Sequence, residues 1–438
     1  MRTDALEPRR ETGTLPTQPP TPYFRYFSGA QAAPRVLVVH GLNSNKAFMQ
    51  IFCAALADAG FEAYAIDLPG HGDSNVGFNA VLADRVLDQA VSLLNPDIAI
   101  GHSMGASLLI DLAHHAKFRK LVLISPGTTA VNDLKFENTL VTSETWDIPA
   151  VNAFAPHLDG AEWRKFTWGM HSSALMKPDQ IREIVKWLGG DPDKLRTGRR
   201  LAWLGLMFAA ASTLGIVLLP KRPAIAQTLP FSKADVVLCY VVAGGAAVVV
   251  QKYVVVLRFV RLFAMDYLVS FFFVAGVVLV AILTAKKQLP SGDPKAIVKA
   301  IMASAFVIVL LGLIAGSHFI HMSLSDGRWW RFLVISAASF PLYLFDETIT
   351  REIGARWRNA GIAVVTRTLI AASIATGVLL LNRQSAFIVL LLGLFLVFWL
   401  TLWIATGLVG RHVRNPVAAA LFAALVQGWM FAAWFVTV

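Results

Sequence analysis

One short stretch of the sequence, G-H-S-M-G at 101–105, has the G-x-S-x-G spacing that can present a serine as a nucleophile. A serine hydroxyl is a weak nucleophile, and it attacks a carbonyl readily only when a neighbouring base removes its proton. In the pattern G-x-S-x-G the serine stands on a sharp turn between a strand and a helix, flanked by small residues because the two backbones approach closely there. An apolar run precedes Gly101 and a helical stretch follows Gly105. The pattern therefore predicts Ser103 as a nucleophile between two elbow glycines, with an inert serine on a glycine-rich turn as the alternative.

The elements that must position this serine alternate between strand-like and helix-like patterns from residue 34 to residue 190. Short apolar runs rich in β-branched residues are typical of buried parallel strands, and the stretches between them have helical spacing. The predicted strands are 35–40, 61–67, 97–102, 120–126, 138–143 and 163–168. The predicted helices include 47–59, 80–94 and 178–188. This alternation predicts an α/β fold with a mostly parallel sheet.

Three motifs in this stretch occur in the order of a known family. V-L-V-V-H-G-L (36–42) resembles the strand and His-Gly turn of the α/β-hydrolase superfamily. D-L-P-G-H-G-D-S (67–74) is similar to the loop that follows the next strand in that family, and G-H-S-M-G is similar to its nucleophile elbow. The resemblance covers 34–190 and implies a hydrolase of the serine type, with the order Ser, acid, His along the chain.

The resemblance also implies the remaining parts of the site. The family's acid follows a late strand, where Asp147 stands, and its base precedes the last helix, where His171 stands. The backbone amides of Leu42 and Met104 would form the oxyanion hole that binds the developing negative charge. Other residues nearby remain open as the acid (Asp133, Glu144, Asp159) or as the base (His114, His115, His157).

The stretch departs from the family pattern in two ways. Many members insert a helical cap after the strand that corresponds to 120–126, but only about a dozen residues separate Pro126 from the next predicted strand. No cap is therefore expected, and the strands before residue 35 are expected to be short or missing. A site without a cap is open to water unless a membrane domain or a lipid surface covers it.

Composition divides the chain into four parts. Residues 1–33 are rich in proline and charge and predict a disordered tail, 34–190 form the α/β domain, and 191–200 form a charged linker. The rest, 201–438, predicts an all-α transmembrane domain of about eight helices, with seven to nine allowed because 251–261 could lie flat at the interface. The expected spans are 201–219, 235–251, 262–284, 299–317, 330–346, 361–381, 386–408 and 417–437.

The formal net charge of +11 comes from Lys and Arg that lie mostly between apolar runs. This placement suits lipid headgroups, and the chain lacks the basic, aromatic-interleaved face that would predict nucleic-acid binding. The N-terminus has no apolar signal-peptide stretch, so the α/β domain is expected on the cytoplasmic side of the membrane. Cys53 and Cys239 lie in different parts, so no disulfide is expected. No cofactor is expected, and His318 with His321 lack the third ligand that a metal site needs.

Polar residues inside the apolar region allow two interpretations. Asp266, Arg367 and the cluster F-D-E-T-I-T-R-E (345–352) could be functional, because charges inside a membrane usually are. Since most of them lie near the ends of predicted spans, we expect them to anchor those ends at the interface.

The sequence thus predicts a membrane-anchored serine hydrolase that cleaves an ester, thioester or amide, with a peptidase also open, through a covalent acyl-enzyme. Membrane tethering and the missing cap favour a hydrophobic or acyl-lipid substrate, with membrane lipids as partners. Two alternatives stay open. One is a transporter or channel with a regulatory hydrolase-like domain, and the other is a binding protein with an inactive one. The lack of conspicuous charges at span centres and the three intact triad positions argue against them.

Overall fold

The computed structural model of the protein describes residues 7–29, 32–129, 134–218, 231–316, 321–350 and 356–438. The chain divides into two compact units. The first, which we call the sheet unit, comprises Met1–Phe208, Gly312–Ser325 and Val436–Val438. The second, the helical unit, comprises Ala209–Leu311 and Asp326–Phe435. The sheet unit is therefore built from three stretches that are far apart in the sequence.

The strands of the sheet unit are β1 (Arg9–Leu15), β2 (Thr21–Phe27), β3 (Arg35–Val39), β4 (Glu62–Ile66), β5 (Ile98–His102), β6 (Lys120–Ile124), β7 (Thr139–Trp146) and β8 (Glu162–Met170). They form one sheet in the order β1-β2-β4-β3-β5-β6-β7-β8. The pairs β1–β2 and β2–β4 are antiparallel, and all pairs from β4 to β8 are parallel. A parallel arrangement places the carboxyl ends of these strands along one edge of the sheet, where ligands bind in open α/β folds.

Helices cover both faces of this sheet. They are α1 (Gln50–Asp58), α2 (Ala80–Leu94), α3 (Met104–Leu112), α4 (Pro149–Phe154) and α5 (Pro178–Leu188). Successive side chains of a strand point to opposite faces. Accordingly Val36 and Val38 of β3 pack into one apolar core with α1 and α5, whereas Leu37 and Val39 pack into a second core with α2 and α3. The central strands are buried on both faces, which explains their continuous apolar runs.

The α/β fold predicted from the sequence is confirmed. The six predicted strands correspond to β3 through β8, with ends that differ by a few residues, and α2 and α5 match 80–94 and 178–188 to the residue. These two helices have clear end signals. The side chain of Asn79 accepts a hydrogen bond from the backbone N–H of Leu82, and Gly189 ends α5 in a left-handed conformation. Only residues 125–138 separate β6 from β7, so there is no room for a cap domain there.

Within the predicted disordered tail, Arg9–Leu15 and Thr21–Phe27 differ from the expectation because they form strands, so the strands before residue 35 are not missing. β1 and β2 have seven residues each, and β2 pairs with β4 of the central sheet. Their sequence hides this because β1 is exposed along most of its length, with only Leu15 buried. Pairing with the sheet edge supplies the order that composition alone does not predict.

The remaining helices are α6 (Thr197–Leu218), α7 (Lys233–Tyr253), α8 (Met265–Ala285), α9 (Pro294–Leu311), α10 (Trp329–Phe345), α11 (Arg356–Thr376), α12 (Phe387–Val413) and α13 (Pro416–Trp434). Among the described residues, the seven from α7 to α13 are long and apolar enough to cross a membrane. Seven such helices are typical of a protein embedded in a membrane. The first predicted span, 201–219, corresponds to α6, and the last residue of this span lies outside the described residues. α6 begins inside the predicted linker 191–200, and in 251–261 a single turn at Arg258–Val260 follows the end of α7.

Two charges of the helical unit, Asp346 and Arg367, differ from the expectation of interfacial anchoring. Asp346 and Arg367 are both buried, and they form a two-pronged ion pair. The Tyr240 hydroxyl donates a further hydrogen bond of 2.8 Å to the same carboxylate. Residues near the ends of spans were expected to face lipid headgroups. Asp346 and Arg367 instead pair with each other, because a charge buried away from water is costly unless an opposite charge compensates it.

Candidate active site

Ser103 occupies the turn between β5 and α3, as its pattern predicts. Its backbone has φ 53° and ψ −116°, a conformation that a residue with a side chain rarely adopts. The two glycines make this turn possible. A Cβ on Gly105 would lie 2.5 Å from the carbonyl oxygen of Val39, and one on Gly101 would lie 2.5 Å from the amide nitrogen of Ala106. The close packing of α3 against β5 and the end of β3 thus leaves little room at this turn, where Ser103 takes its positive φ.

The structure brings the three predicted triad residues together. Asp147 directly follows β7 and His171 directly follows β8, so both stand at the carboxyl edge of the sheet beside Ser103. The Ser103 hydroxyl lies 2.8 Å from His171 Nε2, and His171 Nδ1 lies 2.6 Å from Asp147 Oδ1. This geometry assigns the Nδ1–H tautomer to the imidazole, with Nε2 free to accept the serine proton. The carboxylate is fully buried, whereas the imidazole remains about a quarter exposed.

The carboxylate of Asp147 is held by more than the imidazole. The Ser125 hydroxyl donates a hydrogen bond of 2.5 Å to Oδ2, and the backbone N–H of Ile148 donates one of 2.8 Å to Oδ1. Burial by itself would raise the pKa of this carboxyl, but the hydrogen bonds from His171, Ser125 and Ile148 outweigh it and lower the pKa. The lowered pKa favours the anionic form of Asp147.

The alternatives for acid and base have other partners. Glu144 is buried beside the ammonium of Lys177, and burial raises the pKa of its carboxyl. Asp133 lies outside the described residues. His115 pairs with Asp88, and in the described part of the chain the imidazole hydrogen-bonded to Ser103 is that of His171. The remaining alternatives are Asp159, whose backbone carbonyl accepts a hydrogen bond from Phe136, and His114 and His157, which are exposed.

The turn after β3, residues 40–46, lies against Ser103. A Cβ on Gly41 would be 3.0 Å from Cβ of Ser103, so the glycine lets this backbone approach. His40 is buried and shapes the turn, since its Nδ1–H donates to the carbonyl of Gly41 and its Nε2 accepts from the amide of Leu68. Burial lowers the pKa of His40, which keeps this imidazole neutral. We call residues 40–46 the oxyanion turn because they include the amide of Leu42.

α3 begins at Met104, whose backbone amide is the other predicted oxyanion donor. The first N–H groups of a helix have no partner within it and point at the space beyond its N-terminus. They also carry the positive end of the helix dipole, which stabilises negative charge there. Its position directly after Ser103 is what an oxyanion donor requires.

Two residues at this site were not expected from the sequence. The imidazole of His102 donates from Nε2–H to the backbone carbonyl of His171, at 2.9 Å, and so holds the loop that carries the base. The hydroxyl of Ser125 holds the carboxylate of Asp147. Both follow or end a buried strand at the carboxyl edge of the sheet, and that position is the signal that could have identified them.

Large apolar side chains stand exposed beside the acid and the base. Trp146 directly precedes Asp147 and Met170 directly precedes His171, and Trp168 packs edge-on against Trp146 with ring centroids 5.4 Å apart. These three are 57%, 60% and 80% exposed, in the order Trp146, Met170, Trp168. Trp168 has φ 59°, an unfavourable conformation for a bulky residue. We call these three residues the aromatic patch.

No group of three or more His, Cys, Asp or Glu among the described residues could hold a metal ion. Of the pair noted in the sequence, His318 lies outside the described residues, and His321 pairs with Asp73 of the sheet unit. Cys53 and Cys239 are both free thiols.

Comparison with known proteins finds a matching family model and several solved structures that are similar over part of the chain. Residues 36–322, about two thirds of the chain, match the model of the alpha/beta hydrolase family. The thioesterase domain from the curacin biosynthetic pathway is 15% identical, with a TM-score of 0.34, and the match covers 41% of this chain and 98% of that one. A carboxylesterase from Bacillus subtilis is 16% identical, with a TM-score of 0.34, over 41% of this chain and 92% of that one. An esterase from Thermogutta terrifontis is 14% identical, with a TM-score of 0.34, over 41% and 98%. No curated protein matches the chain.

Replacing Gly105 tests the close approach that creates the turn. We expect Gly105→Ala to destabilise the protein by about 1–3 kcal/mol, because the new Cβ would meet the backbone carbonyls of Val39 and His40, which cannot move aside cheaply. The melting temperature of the full chain in detergent measures this. Gly198→Ala is the matched control, since a Cβ there meets nothing within 4 Å. Equal melting temperatures for the two variants would show that the approach is not constraining.

The buried imidazole of His102 predicts acid sensitivity. Burial, followed by the charge of His171, lowers the pKa of His102 from 6.5 to about 3. Below about pH 6.5 the unfolded chain binds a proton at His102, whereas the folded chain binds it only near pH 3. As the pH is lowered through this window, the free energy of unfolding therefore decreases by up to ~1.4 kcal/mol per pH unit. Melting temperatures between pH 7 and pH 4 should fall less steeply for His102→Gln than for the unmutated chain. His157→Gln, at an exposed position, should leave the slope unchanged. If the melting temperature of His102→Gln fell with decreasing pH as steeply as that of the unmutated chain, His102 would not be the source of the acid sensitivity.

Proposed function

The chain belongs to the alpha/beta hydrolase family, and we propose that it works as a serine hydrolase with Ser103 as its nucleophile. The observation that carries the proposal is the unbroken hydrogen-bonded series from the Ser103 hydroxyl through His171 to the buried Asp147 carboxylate. Each member plays the part that its chemistry allows, since the hydroxyl needs a base and the base needs an orienting anion.

The reaction would proceed by acyl transfer. Ser103 Oγ attacks the carbonyl carbon of an ester, thioester or amide while its proton passes to His171 Nε2. The carbonyl oxygen becomes an oxyanion, which the amides of Leu42 and Met104 stabilise. When the intermediate collapses, the bond to the leaving group breaks, the leaving group takes the proton from His171, and the acyl group stays on Ser103. Water then repeats the sequence and releases the acid. Asp147 stays ionised and stabilises the imidazolium in both halves.

The aromatic patch supports a hydrophobic acyl group as the substrate. Exposed apolar surface of this kind marks a place where an apolar partner binds. Because Trp146 and Met170 directly adjoin the acid and the base, an acyl chain lying on the patch would have its carbonyl within reach of Ser103. The unfavourable backbone of Trp168 is consistent with a functional role for its exposed indole. We propose a lipid-like ester, which a chain with seven candidate membrane spans would meet in the bilayer.

A second candidate places the main function in the helical unit, as a transporter with a regulatory hydrolase-like domain. The observation that favours it is the buried ion pair of Asp346 and Arg367, since charges inside a membrane commonly serve transport. Here, however, the two charges neutralise each other and Tyr240 satisfies a remaining oxygen. A closed pair of this kind suits a structural role.

Labelling with a fluorophosphonate tests the nucleophile. We expect the full chain to be labelled on one serine and the label to disappear in Ser103→Ala, because only a serine activated by a base reacts at a useful rate. Ser92→Ala is the control, since this exposed hydroxyl donates only to a neighbouring carbonyl of α2. Asp147→Asn should slow labelling by about 10³-fold or more, because an amide no longer holds the imidazole in the working tautomer. An unlabelled full chain would contradict the hydrolase proposal, and a label that survives Ser103→Ala would contradict the site.

Acyl-chain preference tests the aromatic patch. We expect Trp168→Ala to lower kcat/KM for p-nitrophenyl palmitate by about tenfold and to change that for the butyrate ester little, because only the long chain would reach the indole. Leu93→Ala, which removes an exposed apolar side chain of α2, should change neither value. Equal losses on both esters would mean that Trp168 does not contact the acyl chain.

A further inference from the structure

The oxyanion turn is interlocked with the loop that follows β4, residues 67–78, which we call the Gly70 loop. The carboxylate of Asp67 accepts the backbone N–H of Lys46 at 2.7 Å and that of Asp73 at 2.9 Å. In return, the amide of Leu68 donates to His40 Nε2 at 3.1 Å. Hydrogen bonds thus cross between the turn and the loop at several points, and a shift of the Gly70 loop must shift the oxyanion turn with it.

Residues Val436–Val438, which belong to the sheet unit, are held by both of these segments. The backbone N–H of Val436 donates to Oδ1 of Asn43, the residue that directly follows Leu42. The backbone N–H of Thr437 donates to the carbonyl of Gly70 at 3.0 Å, and the carbonyl of Thr437 accepts from the amide of Phe78 at 2.7 Å. Val436 and Thr437 are buried. The segment therefore bridges the two ends of the Gly70 loop and also reaches the oxyanion turn.

The Gly70 loop is shaped to receive this segment. Gly70 has φ +81°, and a Cβ there would lie 2.5 Å from the carbonyl oxygen of Thr437 and from the amide nitrogen of Phe78. A Cβ on Gly77 would lie 3.0 Å from the carbonyl carbon of Val438. Two glycines in one loop thus leave room for the same three residues. Such a fit is typical of a built contact between backbones and not of a chance surface encounter.

The second distant stretch of the sheet unit, Gly312–Ser325, holds the same loop from another side. His321 is buried, and its Nε2–H donates to Oδ1 of Asp73 at 2.8 Å. The ammonium of the buried Lys46 contacts the carboxylates of both Asp67 and Asp73. Burial alone would raise the pKa of Asp73, but the hydrogen bond from His321 and the charge of Lys46 outweigh it and lower the pKa. Asp73 therefore links His321 to the oxyanion turn through Lys46.

We propose that Thr437 and His321 are positioning residues for the hydrolase site, which they serve by fixing the oxyanion turn through the Gly70 loop. The inference rests on the proposed function, because it assigns the Leu42 amide a part in the reaction. It extends the functional domain beyond 34–190, since one stretch lies between α9 and α10 in the sequence and the other follows α13. The contacts act on a group that matters most in the transition state, so their loss should lower kcat and leave KM nearly unchanged.

Backbone and side-chain variants of the full chain test the proposal. Thr437→Pro removes the N–H whose hydrogen bond the carbonyl of Gly70 accepts. Thr437→Val keeps that N–H, loses only the 3.4 Å contact of the hydroxyl with the same carbonyl, and serves as the matched control. His321→Ala removes the donor to Asp73, whereas His321→Gln offers an amide N–H in its place. For the two disruptive variants we expect kcat on p-nitrophenyl butyrate to fall by about tenfold or more, with KM within about twofold. The two conservative variants should keep most of the activity.

Two further measurements separate positioning from folding. Rates are divided by the number of sites that a fluorophosphonate titrates to completion, so that unfolded molecules do not count. The affinity for a trifluoromethyl ketone, which forms a tetrahedral adduct with the serine, should fall in parallel with kcat, because its oxygen occupies the oxyanion hole. A loss of activity that merely follows the number of titrated sites, or wild-type kcat per site in both disruptive variants, would overturn the inference. An unmutated chain that is neither labelled nor active would instead overturn the proposed function.

Discussion

The close approach of α3 to β5 and to the end of β3 is the constraint on which the site depends. A Cβ on Gly101 would meet the backbone of α3 and one on Gly105 would meet the carbonyls of Val39 and His40, so the turn between the two glycines is tightly confined and Ser103 takes a positive φ there. The strain at Ser103 is the consequence of this packing, and it is what aims the hydroxyl away from the sheet. A serine in relaxed backbone at the same point of the sequence would continue into the helix with its side chain against neighbours. Packing of backbone against backbone thus decides where the side chain of Ser103 points.

The rest of the site follows from parallel pairing. β5, β7 and β8 end along one edge, so residues separated by 68 and 24 positions in the sequence meet within hydrogen-bond distance. At this edge each polar group is held by another that is itself anchored, as Ser125 holds Asp147 and His102 holds the backbone of His171. Such networks fix a geometry well because their members hold one another, and for the same reason they tolerate little change.

The sequence was sufficient for features that depend on local pattern. Apolar runs and helical spacing identified β3 to β8, and motif order identified the three residues that the structure brings together. It failed where order comes from distant partners. β1 is almost wholly exposed, and its seven residues are ordered by pairing with β2 rather than by a core of their own. The ion pair of Asp346 and Arg367 joins residues 21 positions apart that belong to two different predicted spans.

The three residues Val436–Val438 show why a domain boundary drawn from composition can be incomplete. Their contacts with the Gly70 loop are made largely by backbone groups, which every sequence offers equally, across a separation of 367 residues. No side-chain pattern marks such a contact. It also has a consequence for assembly, because these residues follow every helix of the helical unit in the sequence. The strands of the sheet lie within the first 170 residues, so they are synthesised long before Val436–Val438. The Gly70 loop can form its contacts with Val436–Val438 only after the seven candidate spans of the described residues have been synthesised. These contacts at the site therefore form after the chain of the sheet is complete.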